Sequence, residues 1–403
     1  MKRRRFVGMA AASAGLFVPA RRSWGSAPRI GIVGAGIVGA AVADRLTRRG
    51  AEVLVFEKNE PASGATGRSF AWLNAHFSKK PHHYHLLNRL GVAAWRELEA
   101  ELGSELGLRW GGTLEWAASE PAGTELRAGV RELQGWGYAL RAVGAPELLN
   151  LAPGIVPGPV AAACFADAEG AVDAVLATRA LLRRAQSAGA RVHTRCEVRA
   201  LEIRDGRLRA AETTAGRFEL DRIVIAGGVG TPALAAQAGL TLQLKPAPGL
   251  VLRCEPLPLR IDPVVVGPGV HVRQALDGRI LVGEDPGPPS EPDHTEFLAG
   301  RAEFPGPEIA DRHAQRVLAA AARFLPGLAS ARVEKLHLCL RPMPQDGYPA
   351  VGPAQACPDV YAAVTHSGVT LGPLLGRLIA QELLDGVSTD LLEPYRPWRQ
   401  CAS

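Results

Sequence analysis

The chain has 403 residues, 47% of them hydrophobic and 21% charged, with a formal net charge of +6. This composition excludes a disordered or fibrous chain and leaves room for two domains. The positive balance does not point to nucleic acid, because Lys2, Arg3, Arg4, Arg5, Arg21 and Arg22 lie within residues 1–27, which hold no acid and account for the whole net charge.

In chain order, Arg3-Arg4-Arg5-Phe6-Val7 has the form of a twin-arginine start, followed by a short apolar stretch to Val18. Ala20 or Ala27 offers a small residue for cleavage. The apolar stretch is shorter than the roughly 20 residues of a bilayer span, and no later run is long enough. The chain is therefore read as exported to the periplasm and not as an integral membrane protein, with 1–27 set aside as a signal peptide.

The most informative segment is Ile30 to Gly39, an apolar strand running into Gly34, Gly36 and Gly39, with Glu57 18 residues after Gly39. Gly34 suits a tight turn, Gly36 lets the backbone approach a pyrophosphate, and Gly39 lets the helix pack closely on the strand. The helix start through Ala35, Ile37 and Val38 offers free N–H groups and a positive dipole end. Glu57, followed by Lys58, can accept from ribose hydroxyls. The spacing predicts a dinucleotide site but does not separate FAD from NAD.

A small-residue loop follows, Ala62 to Ser69. Leu86 to Leu102 predicts a helix with Leu86, Leu90, Trp95, Leu98 and Leu102 on one face. The His82-His83-Tyr84-His85 run lies at its entrance, with no acid or cysteine pattern to complete a metal site. Residues 107–165 read as short strands and turns. Asp173 predicts an N-cap for a helix to Ala188, stopped by Gly189. A strand from Arg191 to Val198 comes next, then two strands about the hairpin signal Asp205-Gly206. Arg222 to Gly228 reads as a buried strand ending in Gly227 and Gly228, so the nucleotide domain resumes after an insertion.

Val270 to Gln274 and Ile280 to Val282 flank the turn Asp277-Gly278. Pro286 to Pro292 predicts a loop, and Asp311 to Phe324 an amphipathic helix. Val360 to Val364 reads as a strand, followed by His366 to Leu371 and a helix from about Gly372 to Leu384. Cys164, Cys196, Cys254, Cys339, Cys357 and Cys401 are scattered without a CxxC. An exported chain would allow some to pair; otherwise they serve as small buried apolar residues.

Taken together, these segments resemble the FAD-dependent D-amino-acid oxidase superfamily, which includes glycine oxidase, sarcosine oxidase and D-amino-acid dehydrogenase. The resemblance covers nearly all of the chain after the leader. It rests on Gly34–Gly39 with Glu57; Ser63-Gly64-Ala65-Thr66-Gly67-Arg68-Ser69; Ile223 to Gly228; Arg341-Pro342-Met343-Pro344-Gln345-Asp346-Gly347-Tyr348-Pro349-Ala350-Val351-Gly352; and His366-Ser367-Gly368-Val369-Thr370-Leu371-Gly372-Pro373.

It implies FAD and an α/β (α+β) fold: a Rossmann-like FAD-binding domain, discontinuous over 28–80, 166–235 and 335–400, with a mixed-sheet substrate domain from 81–165 and 236–334. Ala65, Thr66, Gly67, Arg68 and Ser69 would run beside the ribityl chain and pyrophosphate, and Val198 would meet the adenine through its backbone. Gly368, Val369, Thr370 and Leu371 would wrap the flavin ring edge.

Arg341 would grip a substrate carboxylate, a task that suits the guanidinium fork; a structural Arg bonded to an acid or a carbonyl is the other reading. Arg273 reads as a second anion contact or a hairpin surface residue, with the surface reading preferred. Cys339 falls where sarcosine oxidase links flavin covalently, but without the tyrosine context, so non-covalent FAD is expected. Trp72, Asn74, His76 and Trp110 are pocket candidates, with core packing the alternative for the tryptophans.

The implied chemistry is oxidation of a C–N bond in a small amino acid or secondary amine by hydride transfer to the flavin, followed by hydrolysis of the imine. Electrons would pass to oxygen or to a membrane quinone, with Lys245 a guess for oxygen activation. Oxidation of a hydroxy acid, and a flavin-binding electron-transfer protein without turnover, remain open at this point.

Overall fold

The computed structural model describes residues 27–284, 304 and 306–401. A six-stranded sheet runs in the order Ala350–Pro353, Val360–Val364, Arg222–Ile225, Arg29–Val33, Glu52–Phe56 and Arg191–His193. All neighbours are parallel except the first pair. These strands are continuous apolar runs because both faces are covered. Ile30, Ile32, Val53, Val55 and Val224 enter one core. Leu54, Phe56, Ile223, Ile225 and Val360 enter the core on the other side.

The helix Ile37–Arg48 packs on this sheet, against Ala174–Ser187 and Gly368–Asp385. Its contact with the last helix is close: a Cβ on Gly376 would stand 2.5 Å from the Ala41 carbonyl oxygen. Asp173 caps Ala174–Ser187 as expected, accepting from the Val175 and Leu176 N–H groups. Asp205 and Gly206, at φ 53° and 68°, make the hairpin that joins Val198–Arg204 to Arg207–Thr213.

A second sheet has eight strands, in the order Val333–Leu340, Pro248–Pro256, Arg279–Glu284, Val270–Gln274, Val264–Gly267, Thr113–Ala117, Ala162–Ala166 and Leu140–Ala142. The helix Pro307–Ala322 covers one face, with Val317, Leu318 and Ala321 against Leu252, Val272 and Val282. His271, Val251 and Cys339 line a cavity. His271 fits because its cross-strand neighbour is Gly283, where a Cβ would come within 2.2 Å of the imidazole Nε2.

Several sequence expectations need correction. Glu120–Gly135 and Ala145–Leu151 are helices within the stretch read as strands and turns. The strand at Arg191 ends at His193, and Arg195 turns at φ 53° before a new strand begins at Val198. The helix expected from Leu86 starts at His82, and it buries Leu87, Gly91, Val92, Trp95 and Leu98 rather than Leu86 and Leu90. The last helix starts at Gly368, so Gly368 to Leu371 form its first turn.

Cys164, Cys196, Cys254, Cys339 and Cys357 are free thiols. Among the described residues no helix is long and apolar enough to cross a membrane. The leader and the Pro286 to Pro292 loop lie outside the described residues.

Candidate functional site

A cavity of about 1240 Å³ is lined by residues of both sheets. The glycine turn forms one wall. Gly34 sits at φ +96°, and a Cβ there would lie 2.6 Å from the Ala226 carbonyl oxygen. Gly36 is the N-cap of the first helix and supplies no side-chain cap. The Ile37 N–H donates to Thr66 Oγ1 at 3.1 Å, which ties the helix start to the second loop. No acid occupies the first turn of this helix, whose start lines the cavity.

Glu57 stands at the end of its strand. Its Oε2 accepts from the Ala35 N–H and its Oε1 from the Asn59 N–H, both at 2.8 Å. Each carboxylate oxygen keeps acceptor capacity for a ribose hydroxyl.

Of the residues expected at a cofactor, Gly34, Gly36, Ile37, Val38, Glu57, Lys58, Ala65, Thr66, Arg68, Ser69, Val198, Gly227, Gly228, Gly368, Val369 and Thr370 line this one cavity. Ala35, Gly39, Gly67 and Leu371 do not. Ala35 orients Glu57. A Cβ on Gly39 would strike the Gly34 carbonyl, and one on Gly67 the Ala62 carbonyl at 2.4 Å. Leu371 is fully buried in the core.

Arg341 lines the cavity and packs over Gly249, where an added Cβ would lie 3.3 Å from its Cδ. Its Nε donates to the Ala247 carbonyl at 3.2 Å, as the structural reading anticipated. Its two terminal nitrogens make no bond to a described residue. Burial lowers its pKa from the ordinary guanidinium value.

Two histidines share the cavity. Burial, and secondarily Arg341, lowers His271 to about 4, and its Nδ1 has no partner among the described residues. Burial, then Lys79, Arg341 and Lys245, lowers His366 to about 3. Both imidazoles are therefore neutral near pH 7. Cys339 lies in the same wall, its pKa raised by burial against Arg68 and Arg341, and its Sγ donates to the Leu340 carbonyl.

Arg273 is not a surface residue. It is 8% exposed, donates from Nε to the Phe70 carbonyl, and lies 5.5 Å from the Phe70 ring. Trp72 and Asn74 line the cavity, whereas His76 and Trp110 do not. Trp110 donates to Glu99 and stacks against Arg96. Lys245 pairs with Met343 and lies outside the cavity wall.

His76 is part of a separate buried network. Its Nδ1 meets Glu169 Oε2 at 2.9 Å and its Nε2 meets Glu115 Oε2 at 3.1 Å. Glu169 also accepts from the Ala75 and His76 N–H groups, Thr113 and Tyr138. Burial alone would lower the imidazole pKa, but the carboxylates of Glu169 and Glu115 raise it to about 10. An imidazolium shared by two carboxylates fits this set. The neighbouring histidines disperse: His83 meets Tyr395, and His85 the Ala75 carbonyl.

Sequence reasoning missed Lys79. It lines the cavity, is 6% exposed, and donates from Nζ to Ser367 Oγ at 3.0 Å. Nothing in Ser78-Lys79-Lys80-Pro81 separates it from Lys80, an exposed partner of Glu132.

The family model described as FAD dependent oxidoreductase matches residues 29–382. Glycine oxidase of Geobacillus kaustophilus (strain HTA426) is 28% identical over 360 residues, 87% of this chain and 91% of that protein. The crystal structure of glycine oxidase from Geobacillus kaustophilus superposes with a TM-score of 0.79 at 25% identity, covering 92% of this chain and 98% of the other. That of iminodiacetate oxidase from Chelativorans sp. BNC1 gives 0.77 at 26%, covering 92% and 99%. The chain belongs to the FAD-dependent oxidoreductase family.

Proposed function

We propose that this flavoenzyme oxidises the C–N bond of a small amino acid or secondary amine. The observation that carries the reading is Arg341, a half-buried guanidinium in the cavity whose two terminal nitrogens are uncommitted among the described residues. Its fork suits a carboxylate, gripped bidentately. The similar proteins named for glycine and iminodiacetate act, by those names, on amine-bearing carboxylates.

The turn at Gly34 and Gly36, Glu57, and the Ala65 to Ser69 loop would hold the dinucleotide, with the start of the first helix facing its phosphates. FAD, when bound, supplies the hydride acceptor. Arg341 positions the substrate through its carboxylate, away from the bond that reacts. The amine must be neutral so that its lone pair can assist departure of the hydride. Neutral His271 and His366 add no positive charge beside it. The buried walls, including Phe70, Leu250 and Val251, keep water from the reacting carbon, and the released imine hydrolyses in water.

The test is the anaerobic visible spectrum before and after a panel of D-amino acids, N-methyl amino acids and matched hydroxy acids. Bleaching by amine-bearing acids alone is expected; bleaching by hydroxy acids alone would overturn the reading.

We further propose export to the periplasm by the twin-arginine route, with electrons passing to oxygen or to a membrane quinone. The Arg3-Arg4-Arg5 start supports it, since that route carries folded proteins already loaded with cofactor. Cell fractionation of the full chain and of its Arg4→Lys/Arg5→Lys variant tests it: retention of the variant in the cytoplasm is expected, and periplasmic recovery of both or of neither would contradict it.

A further inference from the structure

A buried ammonium group needs a counter-charge or a full set of hydrogen bonds. Lys79 has neither among the described residues. Its Nζ makes one hydrogen bond, to Ser367 Oγ, and lies 5.4 Å from the centroid of the Tyr84 ring. An ammonium has three N–H donors, so two are uncommitted among the described residues, and no Asp or Glu there pairs with it. Cation–π contact with Tyr84 offsets only part of this cost. Lys79 nevertheless lines the cavity, where a ligand-borne anion would supply the missing partner.

The phosphates of a dinucleotide would instead take the glycine turn and the first helix start. Lys79 shares the cavity with Arg341. Ser367, which it contacts, follows His366, and Ser367, His366 and Arg341 line the same cavity as Lys79. Two cations without acidic partners among the described residues therefore line the cavity where the substrate is proposed to sit. A substrate with one carboxylate would satisfy one of them.

We propose that Lys79 and Arg341 form a two-point anion subsite that selects substrates with two carboxylates, such as a dicarboxylic amino acid or an N-carboxyalkyl amino acid. Arg341 takes the carboxylate next to the reacting carbon and Lys79 the distal one. The inference rests on the C–N oxidation proposed above.

The test is equilibrium binding of two ligands to the FAD-loaded protein, followed through perturbation of the flavin spectrum. The ligands are thiodiacetate, with two carboxylates, and (methylthio)acetate, with one; sulfur replaces the oxidisable nitrogen in both. Wild type is expected to bind thiodiacetate tighter by about tenfold or more, the value of one charge-assisted hydrogen bond. Lys79→Met should bring that ratio near one, and Lys79→Arg should keep most of it.

A wild-type ratio near one would overturn the proposal, whatever the variants do. So would a Lys79→Met protein that keeps the preference; a lowered flavin midpoint potential in that variant would then assign Lys79 to the cofactor. If Lys79→Met does not fold, the wild-type and Lys79→Arg ratios decide. Neither ratio involves turnover, so failure of the oxidation reading would show separately, as a flavin that no amine bleaches.

Discussion

A Cβ on Gly39 would stand 2.0 Å from the carbonyl oxygen of Gly34. The third glycine of the turn thus meets the backbone of the first, and the helix can lie on its strand only because position 39 has no side chain. The Gly34 N–H in turn donates to the Phe56 carbonyl, which places Glu57 beside the turn. One close approach sets both the cavity-lining helix end and the acid.

Gly39→Val should therefore disturb cofactor binding without touching the cavity wall. The obstructing atom is backbone, so helix and strand must separate, at a cost of about 1–3 kcal/mol typical of overpacking. Purified Gly39→Val should carry substoichiometric FAD and melt below wild type, both measurable on one sample. Full flavin content with an unchanged melting temperature would count against this packing role.

Cys339 should not be joined to the flavin. Burial raises its thiol pKa and so disfavours the thiolate that would be the nucleophile. Acid precipitation of the holoprotein should release all yellow colour into the supernatant, and Cys339→Ser should behave identically. Colour retained in the wild-type pellet and lost from the pellet of Cys339→Ser would show a covalent bond.

The His76 network should give stability a pH signature. Its folded pKa, about 10, lies above the ordinary imidazole value of 6.5. The folded state thus holds the proton more tightly, and this stabilisation is complete below about 6.5 and declines as pH rises through about 10. His76→Gln leaves Glu169 buried without its cationic partner and should lower stability near pH 6 by about 3–5 kcal/mol. The gap from wild type should narrow toward pH 10. A gap independent of pH, from thermal melts across that range, would show that His76 is not held as an imidazolium.

Much of this was legible in the sequence where a local rule acts alone. The Asp173 cap and the Asp205-Gly206 hairpin need only their own backbone. The helix Glu120–Gly135 was not legible because it is a surface helix that buries only Gly123, Val130 and Leu133. The inward face of His82–Leu102 was misjudged because it centres on Asn88 and Gly91, which a count of leucines passes over. Gly91 is there for fit, since a Cβ would come within 2.7 Å of the Thr370 carbonyl oxygen.

The start of the last helix was placed late because Ser367 gives no side-chain cap and Pro373 lies inside it. Within the site, the Gly34 to Glu57 pattern was readable, whereas the burial of Arg273 and Lys79 was not. Their side chains lie inward because residues far along the chain, Phe70 and Ser367, accept from them.

The most direct test of the central claim is the rate of anaerobic flavin reduction, by stopped flow, against the concentration of whichever amine-bearing acid bleaches the wild type. Arg341→Met removes the carboxylate fork and should weaken the apparent affinity by about 100-fold, the value of two charge-assisted hydrogen bonds. Arg341→Lys should recover part of that loss, and the amine lacking the carboxylate should reduce both proteins equally poorly. An unchanged concentration dependence in Arg341→Met, or efficient reduction by the decarboxylated amine, would contradict the account.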